Sequence, residues 1–173
     1  MFRPALLFTL AAVLAGCDAA PGDNVAAPAA AGPVLPAFAI ASAAALDGIA
    51  GIGAPWSAAR RSDPMEDAKT GGRVVVMSAP DGSAQVFSRA EGKVWQVRLV
   101  AGAPARCGSS APLIAALPKV VAMLKPGTTL TPAQTLAIGN GMTDLRPSTH
   151  AVPGMTLTVV GGCTHWLTAA VAA

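Results

Sequence analysis

The stretch Arg73-Val74-Val75-Val76-Met77-Ser78, with Pro80-Asp81-Gly82 and Gln85-Val86-Phe87-Ser88-Arg89 behind it, decides the fold. The first segment is β-branched and apolar, which suits a pleated, half-buried surface better than a helix. Pro80 presets φ for a turn, and Gly82 is expected to take a left-handed position. Gln85 to Arg89 then returns as a second strand. Glu91-Gly92 makes the next turn, and Lys93 to Val100 alternate as a third strand. A period of two places Trp95, Val97 and Leu99 on one face and Gln96 and Arg98 on the other. The result is a three-strand antiparallel meander.

Downstream the period changes. Leu113, Leu117, Val120, Val121 and Leu124 recur at helical spacing. Pro118 sits inside that run, so the pattern predicts a kink or two short helices. Thr131-Pro132-Ala133-Gln134 carries a helix start, with threonine at the N-cap, proline at N1 and glutamine at N3. Asp144 to Pro153 reads as loop. Met155, Leu157 and Val159 alternate with Thr156 and Thr158, as on a half-buried strand. Thr164 to Val171 is expected to be a last strand with Trp166 inward. The hexapeptides starting at Pro126 and Pro153 look alike, but so short a match reads as turn chemistry rather than duplication. The fold class is α+β: a small antiparallel sheet with one or two short helices on one face.

Upstream, Arg3 precedes an apolar run from Ala5 to Leu14, and Leu14-Ala15-Gly16-Cys17 closes it. These have the parts of an export signal, and the run is too short to span a ~30 Å hydrocarbon core. The last four residues resemble the lipobox of bacterial lipoproteins. That resemblance implies cleavage before Cys17, acylation of its sulfur, and a chain tethered to a membrane facing the periplasm. Two or more acyl chains hold stably at ~0.8 kcal/mol per buried CH₂. Asp18 resembles an inner-membrane retention signal of enteric bacteria, with the outer membrane as the alternative. The expected layout is a signal peptide at 1–16, a lipidated tether at 17–48 and one globular domain at 49–173, with folded structure beginning near Trp56. Proline and glycine recur through 18–36, the alanine-rich stretch at 37–47 is compatible with a short helix, packed or not, and Gly48, Gly51 and Gly53 are expected to interrupt it.

With Cys17 given to lipid, Cys107 and Cys163 remain of three cysteines. In an exported chain such a pair reads as a disulfide, against two free thiols. A metal alternative would group Cys107 and Cys163 with the only two histidines, His150 and His165, since two thiolates and two imidazoles suit tetrahedral zinc. Cys163-Thr164-His165 is not a recognised zinc spacing, and a disulfide would consume both sulfurs. No cofactor is expected beyond the acyl chains on Cys17.

Other chemistry finds little support. Ser109 and Ser110 lack a G-x-S-x-G elbow and read as helix caps. Asp63, Glu66 and Asp67 are too close in sequence to flank a bond, and Arg60 and Arg61 beside them favour mutual pairing on a surface loop. Phosphate-binding glycine loops are missing. The net charge of +3 comes without a basic run, so nucleic acid is not an expected partner.

Trp56, then Asp63-Pro64-Met65-Glu66-Asp67-Ala68-Lys69, then the valine strand, is similar to a pattern in small proteobacterial periplasmic proteins. Some of these are accessory proteins associated with type VI secretion. Arg106-Cys107 corresponds to an Arg-Cys pair in them, although here Ala101-Gly102-Ala103-Pro104 breaks the strand leading to it. The resemblance implies no catalytic residues. The leading expectation is therefore a non-catalytic binding or accessory protein of the cell envelope. An envelope protein would be its partner, with Trp56, Arg60, Arg61, Asp63 and Asp67 or a sheet edge as contacts. The alternatives are a metal-binding or hydrolytic lipoprotein using Cys163, His165 and His150, and a purely structural envelope lipoprotein.

Overall fold

A computed structural model describes residues 35–68, 70–103 and 107–172. The signal, Cys17, Asp18 and most of the expected tether lie outside these, as do Lys69 and Arg106. In order, the elements are α1 (Ser42–Ile52), a 3-10 turn (Trp56–Ala58), β1 (Arg60–Arg61), β2 (Met65–Asp67), β3 (Gly72–Ala79), β4 (Gly82–Ser88) and β5 (Val94–Ala101). They continue with α2 (Ala111–Leu124), α3 (Pro132–Gly141), β6 (Ser148–Val152), β7 (Met155–Val160) and β8 (His165–Val171). Among the described residues no helix is long and apolar enough to cross a membrane.

The meander β3-β4-β5 is present, and a second, β6-β7-β8, follows the helices. Strand order is β1-β3-β4-β5-β8-β7-β6, all antiparallel, with β2 also paired to β3. The two meanders join where Leu99 lies opposite Leu167. β1 and β2 are two pieces of one edge. Between them Ser62 donates its N–H to Val76 O (2.8 Å) and accepts from Val76 N at Oγ (3.1 Å).

Alternation gives the sheet one apolar face. Val75 and Met77, Ala84 and Val86, Val97 and Leu99, Leu157 and Val159, and Leu167 and Ala169 are all buried. The helices cover this face: α1 packs on β4 and α2, α2 on β5 and β8, α3 on β6 and β7. At ~25 cal/mol per Å² of apolar area removed from water, this layer is the main source of stability.

Several expectations need correcting. The packed unit begins at Leu35, not near Trp56. Phe38 N donates to Val94 O and Val94 N to Ile40 O, which ties the segment to β5, and Ala45, Leu46 and Ile49 of α1 are buried. Neither Gly48 nor Gly51 breaks α1, which runs on to Ile52 and ends at Gly53; a Cβ at Gly48 would strike the Met123 sulfur, so its absence permits close approach of α1 to α2. Pro118 sits inside one continuous α2 rather than dividing it. Gly82 has no positive φ; it opens β4 opposite Ala79, where a Cβ would meet Val100 O and the Pro55 ring. β6 falls in a region read as loop. Of the two similar hexapeptides, one links α2 to α3 and the other is a hairpin turn leading into β7. The Thr131 capping box is formed: Oγ1 accepts from Gln134 N (3.2 Å) and Gln134 Oε1 accepts from Thr131 N (2.9 Å).

Candidate binding face

Trp56 is not available to a partner. It is fully buried, and its indole N–H donates to Ser83 O at 2.9 Å. Arg61 pairs with Asp47 of α1 (2.7 Å), not with the neighbouring acids, because it lies opposite Met77 on the helix-covered side. Asp63 is exposed. Asp67 Oδ2 accepts from Thr70 Oγ1 at 2.6 Å and so shapes the turn into β3. Arg60 lies opposite Ser78 and therefore on the helix-free side.

Cys107 and Cys163 form a disulfide. Gly108 N donates to Cys163 O (2.9 Å), so bridge and hydrogen bond close one junction between the approach to α2 and the start of β8. His165 completes it, with Nδ1 3.0 Å from Met142 O and Nε2 3.2 Å from Gly108 O. Both ring nitrogens thus face backbone carbonyls. His150 Nε2 lies 2.9 Å from Ser148 Oγ. The four proposed metal ligands are consumed in this way: the sulfurs bond to each other, and the imidazoles are held by separate partners. Among the described residues no three His, Cys, Asp or Glu side chains gather as a metal site would require.

The helix-free face of the sheet has unspent binding capacity. Ser83, Gln85 and Phe87 of β4, Gln96, Arg98 and Val100 of β5, and Trp166 and Thr168 of β8 point to this side, opposite the buried set. Arg98 lies between Gln85 and Thr168, and its guanidinium sits 5.2 Å from the Trp166 ring centroid. Trp166 keeps 39% of its surface exposed. A groove of about 440 Å³ opens here, walled by Ser78, Ser83, Gln85, Arg98, Thr164 and Trp166 with small apolar neighbours. Arg98 Nε is enclosed and has no hydrogen-bond partner among the described residues. Arg89 Nε and Trp95 Nε1 are enclosed in the same way.

A second Arg–Trp stack lies toward the β4–β5 turn. Arg89 sits 4.7 Å over Trp95, which packs on Phe87 at 5.7 Å. Here the alternation misleads. The register shifts between Phe87 and Ser88, so Ser88 faces Val94 and Phe87 faces Gln96. Trp95 is the extra residue and turns toward Phe87, away from Val97 and Leu99. Trp166 is likewise outward, not inward, because Leu167 and Ala169 take the core positions of β8. The alternation of β8 carries that signal, against the expectation that a large apolar ring seeks the core.

No protein-family model matches this chain, and comparison with curated proteins and with solved structures finds no match.

Proposed function

We propose that this protein is a lipid-anchored, periplasm-facing binding or accessory protein of the cell envelope, and that the helix-free sheet face is its contact surface. The anchor rests on Leu14-Ala15-Gly16-Cys17, with Asp18 favouring the inner membrane. The binding role rests on one observation: the Arg98 guanidinium lies over a part-exposed Trp166 in an open groove lined by hydroxyls and an amide. Tryptophan and arginine are the side chains that most often dominate protein interfaces. A non-catalytic role also agrees with the engagement of both histidines and both described cysteines in structural contacts.

The test is photo-crosslinking in the native host, with a photoreactive residue at Gln85 on this face or at the exposed Ala137 of α3. A discrete adduct from Gln85, absent from Ala137 and lost with Arg98→Glu, is the expected outcome. Equal adducts from both positions would remove the face from the proposal. The anchor is checked separately by labelling with an alkyne fatty acid, which Cys17→Ser should abolish.

A further inference from the structure

The partner's chemistry can be narrowed from the groove itself. Among the described residues its walls hold a guanidinium, three hydroxyl groups (Ser78, Ser83, Thr164), the Gln85 amide and the Trp166 indole, and no carboxylate. Asp81 sits in the turn beside it but lines a separate cavity with Ala54, Pro55 and Cys107. Arg60, opposite Ser78 on the edge strand, adds a second positive charge to the same side. Arg61 is neutralised by Asp47, but no ion pair to Arg60 or Arg98 is present among the described residues. A cation held against an aromatic ring, partly desolvated and without a counter-charge, is a site for an anion with a planar pair of acceptor oxygens.

We infer that the Arg98 groove receives the carboxylate of an acidic side chain presented by a partner polypeptide. The guanidinium would accept it edge-on while its face stays on Trp166, and the hydroxyls and Gln85 would take the remaining lone pairs. A polypeptide is favoured over a free small anion because the groove is one part of a broad face. That face continues through Thr168, Thr158 and Thr149 to the β6 edge and carries a second Arg–Trp stack. Such an area suits an extended apolar and hydroxyl-bearing contact around one charged anchor. This inference rests on the binding reading above and specifies its ligand.

The test uses the detergent-solubilised, lipidated full chain with ¹⁵N-labelled tryptophan. The probes are acetyl-Leu-Glu-Leu-amide, acetyl-Leu-Gln-Leu-amide and acetate. The expected result is a saturable shift of the Trp166 indole signal with the glutamate peptide while Trp56 stays still. That peptide should bind about tenfold or more tighter than the glutamine peptide, as a charge-assisted hydrogen bond implies. Arg98→Gln should erase the preference and Arg98→Lys should keep part of it, with the unmoved Trp56 signal reporting that both variants remain folded. Equal binding of the two peptides would overturn the carboxylate, and acetate binding as tightly as the peptide would overturn the polypeptide. No peptide binding, with the Gln85 adduct still formed, would sink this inference and leave the contact face standing. A glutamate preference without any adduct would do the reverse.

Discussion

Trp56 and Ser83 are joined by an indole N–H to carbonyl hydrogen bond of 2.9 Å, made from a position with no exposed surface. The ring therefore pegs the chain after α1 to the start of β4. Trp56→Phe should cost about 1–3 kcal/mol, because the Ser83 carbonyl loses its donor. Trp56→Ala should cost about 3–5 kcal/mol through cavity formation. Urea unfolding followed by circular dichroism separates the two.

The Cys107–Cys163 bridge spans a sequence separation of 56. On the chain-entropy view it stabilises the fold by about 4 kcal/mol. Alkylation after reduction should trap a chain with a correspondingly lower urea midpoint. An unchanged midpoint would mean that the bridge constrains neither state.

His165 clamps the same junction by non-covalent means. A ring N–H can donate to Met142 O or to Gly108 O, so removing the imidazole takes a side-chain donor from this junction. His165→Ala should cost about 1–3 kcal/mol and speed amide exchange at Gly108, whose N–H bonds to Cys163 O. If exchange at Gly108 stays as slow as in the parent, the clamp has no structural weight.

Two glycines should respond in opposite directions. Gly51 lies inside α1 with open space where a methyl group would project, so Gly51→Ala should stabilise by up to about 1 kcal/mol through helix propensity. A methyl group at Gly82 would collide with Val100 O and the Pro55 ring, and Gly82→Ala should destabilise by about 1–3 kcal/mol. Thermal melts of the two variants beside the parent give the signs directly.

Local chemistry was legible in the sequence where local forces decide the structure. The valine run of β3, the Thr131 capping box and the pairing of the two C-terminal cysteines all follow from adjacent residues or from counting. Alternation alone puts Arg98 on the correct side of β5. What escaped depends on distant partners. The alanine-rich stretch suggests a short helix, but its position was not legible: α1 runs on through Gly48 and Gly51, seats Leu46 and Ile49 in the core and approaches Met123 closely at Gly48. The Trp95 bulge is a mismatch between two strands, invisible in either one. β6 is a strand because β7 offers it a ladder, although the turn formers around it, Asp144, Pro147, Pro153 and Gly154, make the region read as loop. The groove was hidden for the same reason: its walls come from β3, β4, β5 and β8, and only the pairing of Arg98 with Gln85 and Thr168 assembles them.

The broken edge at Ser62 gives the sheet a direction. On that side a neighbouring strand would meet only the two residues of β1 or the three of β2, separated by a serine that folds back onto Val76 and by Pro64. On the far side β6 runs five residues without interruption. Interrupted edges resist strand addition more than continuous ones do. Pro147 and Pro153 close β6 at both ends, so another chain extending this sheet, whether as a useful augmentation or as the first step of aggregation, has one short five-residue ladder to use, and it lies at β6.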